Sequence, residues 1–384
     1  MKKRKCECCG GNDQEFIYSD KKYIKTRNET YLFWQHVVIC HECGFCFNSP
    51  CPTKEDLENY YADCFSINEV PPFHYSIDAR INALKNYISE KGKFVEIGGN
   101  QAGEFHKRLL KHVGSIQNVD LNNSCLSNLK TVDALSGDSI DVVACYDVLE
   151  HIPKIKEFLQ SCRRVLKDAG IMMIEVPDIK FYPHNLMLFC SEHVNHFSVY
   201  TLEKIFNDSG FKLVETRHAT SSRPLTGFLA IFRKEDNRLE SNNFDRNYAE
   251  YLDNRACLKE GVEQIEKLER RLSRLRERIA ELNKENKKVT LWCVTDFLYK
   301  MIDNFDLSKN IIIVDSDIRK KDYLKDKKIP VLQPINCLEH IKESDLLVIL
   351  SPRNKNDILA WIKNKIGYSF NEKKVVVIGD GLYG

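Results

Sequence analysis

The chain has 384 residues, 43% hydrophobic and 29% charged, which predicts packed cores and two or three domains. Its 57 basic and 55 acidic residues leave a net charge of +2, so there is no electrostatic case for a nucleic-acid or membrane partner. The basic start, MKKRK, is followed by polar CECCGGNDQ, and no apolar run approaches the roughly 18 residues of a membrane span, so we expect neither a signal peptide nor a transmembrane helix. Fifteen cysteines, an odd number, favour a reduced, cytoplasmic protein over a disulfide framework.

Two cysteine pairs lie near the N-terminus. Cys6 and Cys9 form one C-x-x-C pair, Cys40 and Cys43 form the second, and a glycine follows each pair. Two residues between thiolates let both reach one ion, and the glycine permits the tight turn, so the spacing predicts a structural four-thiolate Zn²⁺ site. Free cysteines and an iron–sulfur centre are the alternatives. Four thiolates leave no open position on the ion, so we predict no catalytic role for it.

The segment FVEIGGNQAG, residues 94–103, is predicted to be a strand that runs into a glycine-containing turn. Such a turn lets backbone N–H groups approach a nucleotide-like cofactor, which favours residues without Cβ. The next predicted strand ends at Asp120, where an acidic side chain can bind the ribose hydroxyls of a nucleoside. The residues that we predict to contact the cofactor are Glu96, Gly98, Gly99, Asn100, Asp120 and Tyr146.

Helical and strand patterns alternate through the middle of the chain and predict a doubly wound α/β sheet. The predicted helices are Phe73–Glu90, Glu104–His112, Ile155–Leu166 and Tyr200–Ser209, and the predicted strands are Phe94–Ile97, Ile116–Val119, Ile140–Cys145, Ile171–Val176 and one that begins at Phe211. Twenty residues separate Asp120 from Asp141, fewer than a helix, a strand and two loops of average length need. We therefore predict at most two helical turns over Asn123–Lys130 and a vestigial strand over Thr131–Ala134.

The run SEHVNHF, Ser191–Phe197, follows the strand GIMMIEVPD and is predicted to be a loop with three proton-transferring groups. An imidazole has a pKa suited to a general base near neutral pH, and a carboxylate can fix its tautomer. We predict Glu192, His193 and His196 to be catalytic. The alternative interpretation, a histidine that caps loop backbone groups, stays open and is favoured for His196. His151, in VLEHI, is predicted to be structural or adjacent to the cofactor.

The C-terminal third begins with a charged segment, Asn254–Lys288, whose apolar residues recur every three or four positions. It predicts a long amphipathic helix that either packs on the chain's own domains or forms a homodimer contact. Four apolar runs then predict strands of a second Rossmann-like α/β domain: Val289–Val294, Ile311–Asp315, Leu346–Leu350 and Val375–Ile378. The closing IGDGLYG spells a dinucleotide fingerprint, but no helix follows it, so we assign it no binding role.

Together these motifs resemble the three-domain sugar C-methyltransferases. The resemblance rests on CECCG and CHECG, EIGGN and VLEHI, and SEHVNHFS, in that order. It implies a zinc-binding domain over 1–66, a class I methyltransferase core over 67–240, a linker helix over 241–288 and a Rossmann-like domain over 289–384. It further implies S-adenosylmethionine as cofactor, a nucleotide-linked keto-sugar as substrate, and His193 as the base paired with Glu192. The tyrosine that usually stands two positions before the glutamate is replaced here by Cys190.

Two further functions stay open. A methyltransferase of another acceptor would use His193 to deprotonate a hydroxyl or amine. A repurposed relative, acting as a binding or scaffold protein, would keep the fold with an eroded cofactor pocket, which the short Asp120–Asp141 stretch favours.

Overall fold

The computed structural model describes residues 3–25, 30–63, 76–99, 103–122, 129–190, 192–220, 226–235, 244–302, 310–322, 324, 328–351, 354–367 and 374–378. The chain divides into two compact units, with the boundary after Val262. Among the described residues no helix is long and apolar enough to cross a bilayer.

The N-terminal part of the first unit is an antiparallel sheet followed by a helix. Its elements are β1 (Gln14–Lys25), β2 (Thr30–Cys40), β3 (Cys46–Asn48) and α1 (Lys54–Asp63). β2 pairs with β1 on one side and with β3 on the other. The two predicted cysteine pairs flank these strands, because Cys6 and Cys9 precede β1 while Cys40 ends β2.

The central part of the first unit contains the predicted alternation of helices and strands. Its elements are α2 (Ile77–Leu84), β4 (Lys93–Ile97), α3 (Glu104–Leu109), β5 (Ser115–Val119), β6 (Ile140–Tyr146), α4 (Ile155–Val165), β7 (Leu166–Pro177), β8 (Asn195–His196), α5 (Val199–Asp208), β9 (Phe211–His218) and β10 (Gly227–Lys234). Six strands form one sheet in the order β5-β4-β6-β7-β10-β9. The first four are parallel, and β10 is antiparallel to both of its neighbours.

Local sequence explains the boundaries of several of these elements. In α4 the buried residues Ile155, Leu159, Cys162 and Val165 recur every three or four positions and cover the sheet. α5 begins with a capping box, in which Ser198 and Thr201 bond each other's backbone N–H groups. α2 begins after Ser76, which caps it, and is shorter than the predicted Phe73–Glu90 helix; residues 64–75 lie outside the described part.

The short stretch between Asp120 and Asp141 differs from the predicted secondary structure. The vestigial strand predicted over Thr131–Ala134 is wrong, because Val132–Ala134 form a 3₁₀ turn in which the Thr131 hydroxyl accepts the Asp133 N–H. A single parallel bridge joins Leu129 to Val119 where a further edge strand would lie. Residues 123–128 of the predicted two-turn helix lie outside the described part of the chain.

The SEHVNHF segment also differs from the prediction of a loop. Asn195 and His196 form β8, whose partners on β3 are Phe47 and Cys46. β8 is thus the fourth strand of the N-terminal sheet, in the order β1-β2-β3-β8. A two-residue strand has no periodicity that a sequence can display, and its partner lies about 150 positions upstream.

A long helix, α6 (Phe244–Lys284), belongs to the first unit up to Val262. Three of its side chains, one turn apart, bind the Glu15 carboxylate of β1: Tyr251 Oη at 2.5 Å, Arg255 Nε at 2.7 Å and Lys259 Nζ at 3.1 Å. The bond from Arg255, with those from Tyr251 and Lys259, lowers the pKa of Glu15 from 4.5 to about 2.

Glu15→Gln should therefore lower the free energy of unfolding at pH 7 by about 1 kcal/mol. The amide lacks the negative charge that attracts Arg255 and Lys259, and the site is partly exposed, so the effect is modest. A group whose pKa is depressed by folding stabilises the protein above its unfolded pKa and loses this effect as pH falls toward its folded pKa. The difference between wild type and variant should thus shrink from pH 4.5 towards pH 2 in urea titrations. Glu55→Gln, at an exposed position of α1, is the control and should change little at any pH.

The second unit is an α/β domain, as predicted. It contains α6 from Glu263 onward, then β11 (Val289–Trp292), α7 (Asp296–Ile302), β12 (Ile311–Val314), β13 (Val331–Leu332), α8 (Leu338–Glu343), β14 (Leu346–Ile349), α9 (Lys355–Ile366) and β15 (Val375–Val377). All neighbours in the order β13-β12-β11-β14-β15 are parallel. The apolar seam of α6, including Leu268, Leu272 and Ile279, is buried in the single chain. Residues 379–384 of IGDGLYG lie outside the described part.

Candidate active site

The predicted cofactor residues follow three neighbouring strands. Gly98 and Gly99 come after β4, Asp120 comes after β5, and Tyr146 ends β6. Because β5, β4 and β6 are adjacent and parallel, their carboxyl ends meet at one edge of the sheet, which is where open α/β sheets bind ligands. The topology thus brings four of the six predicted residues to one edge; Asn100 lies outside the described residues.

The turn after β4 has no room for side chains at Gly98 and Gly99. Gly98 has φ of +74°, and its N–H donates to the Val119 carbonyl over 2.8 Å. A Cβ at Gly98 would overlap the Val148 side chain, and one at Gly99 would overlap the Glu96 carboxylate. The backbone is therefore held close to the strand end by residues that leave no room for a side chain.

Gly98→Ala should weaken S-adenosylmethionine binding about tenfold or more, because a positive φ costs an alanine about 1–2 kcal/mol and the new methyl group displaces Val148. Calorimetric titration measures this change. Gly137→Ala is the control, since its Cβ would meet only ordinary contacts at 3.4 Å and beyond. Equal affinity of the two variants would remove the turn from the cofactor site.

Glu96, the remaining predicted cofactor residue, is buried and paired. The Arg80 guanidinium lies 3.7 Å from its Oε1, and the His106 imidazole bonds its Oε2. Arg80 also stacks over the Tyr146 ring at 3.8 Å from the ring centre. Sequence reasoning missed Arg80 and His106, since a single charged residue inside a short helix gives no signal of where it points.

A second group lies beside this edge, where two segments meet. Glu150 and His151 belong to a 3₁₀ turn, Leu149–His151, that follows β6, and His193 comes from SEHVNHF. The Glu150 Oε1 lies 3.7 Å from His151 Nε2 and 3.9 Å from His193 Nε2. The two imidazole rings meet edge to face, with centres 4.9 Å apart. VLEHI and SEHVNHF, two motifs of the sequence, thus form one cluster, which we call the Glu150 triad (Glu150, His151 and His193).

Both imidazoles of the Glu150 triad are oriented by backbone carbonyls. The His151 Nδ1 lies 3.0 Å from the Glu192 carbonyl, and the His193 Nδ1 lies 3.0 Å from the Leu188 carbonyl. A carbonyl oxygen can only accept, so each Nδ1 carries the hydrogen, and in a neutral ring Nε2 is then the basic nitrogen. Both basic nitrogens face the Glu150 carboxylate.

The carboxylate of Glu150 is only 1% exposed. Among the described residues neither of its oxygens has a hydrogen-bond partner. Burial, and secondarily the charge of Asp147, raise the pKa of Glu150 well above its ordinary value, and burial lowers the pKa of His151. Sequence reasoning did not select Glu150 and assigned His151 no chemical role, although both directly follow a strand that ends at this edge of the sheet.

The N-terminal sheet holds the triad in place. The Asn48 amide donates to the His193 carbonyl over 3.2 Å, and the Tyr60 hydroxyl donates to the Glu192 carboxylate over 2.9 Å. The Asn195 amide donates to the carbonyls of Leu149 and Ile152, which brackets the turn that carries Glu150 and His151. The segment that carries His193 is therefore fixed by the cysteine-containing part of the chain.

The two other predicted catalytic residues have different surroundings. The Glu192 side chain accepts from Tyr60, so the carboxylate that the structure places toward the His193 Nε2 is that of Glu150. His196 is buried in β8, and its Nδ1 bonds the Tyr182 hydroxyl at 2.7 Å. His196 does not belong to the cluster of Glu150, His151 and His193.

The four predicted zinc ligands converge as expected. The Sγ atoms of Cys6, Cys9, Cys40 and Cys43 all lie within 4.8 Å of one another, with Cys6–Cys43 at 3.6 Å and Cys9–Cys40 at 3.5 Å. Four thiolates at about 2.3 Å from a tetrahedral zinc ion are about 3.8 Å apart, so this arrangement fits the ion. Gly10 and Gly44, which follow the pairs, have φ of +82° and +72°, as the tight turns require.

Comparison with known proteins agrees with the sheet topology. A family model described as a methyltransferase domain matches residues 73–216. The ubiquinone biosynthesis O-methyltransferase of Coxiella burnetii is 22% identical over 143 residues, which cover 33% of this chain and 61% of that protein. A probable S-adenosylmethionine-dependent methyltransferase of Mycolicibacterium smegmatis is 28% identical over 99 residues, which cover 26% of this chain and 37% of that protein. This chain thus spans less than two thirds of the curated relatives that it matches.

Among solved structures, the geranyl diphosphate C-methyltransferase of Streptomyces coelicolor A3(2) aligns with 48% of this chain and 99% of its own. Its TM-score is 0.37 and its sequence identity 10%. The family match and the six-stranded mixed sheet confirm the predicted class I methyltransferase fold, which carries an N-terminal cysteine cluster and a further α/β domain.

Proposed function

We propose that the chain is an S-adenosylmethionine-dependent methyltransferase that adds a methyl group to a carbon next to the ketone of a nucleotide-linked sugar. The cofactor part rests on the methyltransferase-domain match and on the glycine turn and Asp120 at the strand ends. The acceptor part rests on the resemblance of the motifs CHECG, EIGGN and SEHVNHFS to the sugar C-methyltransferases. S-adenosylmethionine supplies an electrophilic methyl group on a sulfonium.

The observation that carries the proposal is the orientation of His193. Its Nδ1–H is held by the Leu188 carbonyl, which leaves Nε2 to take a proton from the acceptor. The proton removed from the α-carbon would move to Nε2, and the carbon of the resulting enolate would form the new bond to the methyl group while the methyl–sulfur bond breaks and S-adenosylhomocysteine leaves. The Glu150 carboxylate, 3.9 Å from Nε2, stabilises the imidazolium that results. The His151 Nε2 lies 3.7 Å from the same oxygen.

The cysteine cluster has a structural part in this proposal. Cys6, Cys9, Cys40 and Cys43 would hold a zinc ion with no open position, so the ion stabilises the sheet that ends in β8 and touches no substrate. The sheet, through the Asn48–His193 bond, and α1, through the Tyr60–Glu192 bond, fix the segment that carries the base.

Incubation with methyl-¹³C-labelled S-adenosylmethionine and a panel of nucleotide-linked keto-sugars tests the proposal. We expect a labelled methyl group on carbon, identified by its ¹³C chemical shift. A label on oxygen or nitrogen would overturn C-methylation and assign His193 the deprotonation of a hydroxyl or amine. No binding of millimolar S-adenosylmethionine to a folded, zinc-loaded sample would favour the repurposed relative.

A further inference from the structure

Three side chains of the Glu150 triad direct one atom each toward a common point. The Glu150 Oε1, the His151 Nε2 and the His193 Nε2 all lie within 4.8 Å of one another. The separations of Oε1 from the two nitrogens, 3.7 and 3.9 Å, are too long for hydrogen bonds. They are close to the separation of about 3.4 Å between neighbouring ligands of a tetrahedral ion bound at about 2.1 Å.

The hydrogen positions make all three atoms electron-pair donors. Each Nδ1 gives its hydrogen to a backbone carbonyl, so in neutral imidazoles each Nε2 presents a lone pair, and an ionised carboxylate presents only lone pairs. Metal-binding histidines in proteins have this arrangement, in which the nitrogen away from the metal donates to a carbonyl or carboxylate and fixes the ring.

The burial of Glu150 points independently to a ligand. The side chain is 99% buried, since its exposed fraction is 1%, and neither oxygen accepts a hydrogen bond from the described residues. A carboxylate in that state costs several kcal/mol unless a cation or donor compensates it.

We propose that Glu150, His151 and His193 bind a divalent transition-metal ion of the zinc type. Two imidazole nitrogens and one carboxylate oxygen are a ligand set for zinc, iron and related borderline ions, whereas magnesium and calcium prefer oxygen alone. The two separations from Oε1, 3.7 and 3.9 Å, exceed the tetrahedral value of about 3.4 Å by about 0.3 and 0.5 Å. Three protein ligands leave at least one coordination position open, in contrast to the closed four-cysteine cluster.

The site goes beyond the proposed function and competes with it for one nitrogen. A coordinated His193 Nε2 cannot accept a proton, so the ion-bound state and the proton-accepting state exclude each other. The proposed methyl transfer uses the ion-free state. Ion binding can therefore be measured without an acceptor or cofactor, and its failure leaves the proposed function untouched.

Zinc stoichiometry of the full-length protein tests the inference. After reloading with excess Zn²⁺ and gel filtration, elemental analysis should give two zinc ions per chain in the wild type and one in Glu150→Gln, which keeps the side-chain volume and removes the charge. Glu157→Gln is the control, because Glu157 is exposed on α4 and pairs with Lys154, and it should keep both ions. One ion in the wild type, or two in Glu150→Gln, would overturn the proposal.

X-ray absorption at the zinc edge provides a test that needs no variant. Two ions per chain give a mixed first shell of sulfur from the cysteine cluster together with nitrogen and oxygen from the triad. A first shell of sulfur alone in the zinc-saturated wild type would contradict the inference, whatever the variants do.

Discussion

His193→Ala should lower the rate of methyl transfer by at least about 100-fold while S-adenosylmethionine binds within a few-fold of the wild-type affinity. A positioned general base contributes about 10²–10⁴ in rate, and the variant removes the nitrogen that takes the acceptor's proton. The predicted cofactor residues lie at the ends of β4, β5 and β6, whereas His193 lies in the segment before β8, so the two measurements report on different segments. The rate is measured in single turnovers with saturating cofactor, and the affinity is measured by calorimetric titration with S-adenosylmethionine.

His218→Ala is the matched control for that variant, because His218 is exposed at the end of β9 and does not belong to the Glu150 triad. It should keep both rate and affinity. Unchanged turnover in His193→Ala would remove this residue as the base. A joint loss of rate and cofactor affinity would indicate that the variant disturbs the sheet edge rather than proton transfer.

The sheet was predictable from sequence because parallel core strands are short, apolar and flanked by turn signals. β6 and β7 are buried along nearly their whole length, and α4 shows its buried face at regular spacing. The cysteine cluster was predictable for a different reason, since two C-x-x-C pairs leave few other chemical interpretations.

Contacts between distant segments were not predictable. β8 is two residues long and forms only because it pairs with β3. The carboxylate 3.9 Å from the His193 Nε2 belongs to Glu150, 43 positions upstream, and the His193 ring packs against that of His151. The sequence placed Glu192 beside His193 because they are neighbours in the chain, but adjacent residues often point in different directions. Glu150 was not selected because its distinguishing property, burial without a hydrogen-bond partner among the described residues, belongs to the folded state.

Cys40→Ser should lower zinc content, stability and turnover together. A serine oxygen replaces one of four thiolates, and structural zinc sites supply folding free energy directly, so we expect the first unit to lose more than about 4 kcal/mol of unfolding free energy. Cys40 ends β2, β2 pairs with β3, and β3 pairs with β8 and holds the His193 carbonyl through Asn48. Loss of the metal should therefore disturb the triad through the pairing of β2 with β3 and of β3 with β8. Elemental analysis, thermal unfolding and turnover of one preparation measure the three effects.

Cys51→Ser is the control, because Cys51 lies in the same part of the chain and does not belong to the four-thiolate cluster. It should keep its zinc, its melting temperature and its turnover. A Cys40→Ser protein that melts like the wild type without metal would refute the structural zinc. If it loses zinc and stability but keeps full turnover at low temperature, the cluster stabilises the sheet without positioning His193, because the Asn48 and Tyr60 bonds would then suffice to hold that segment.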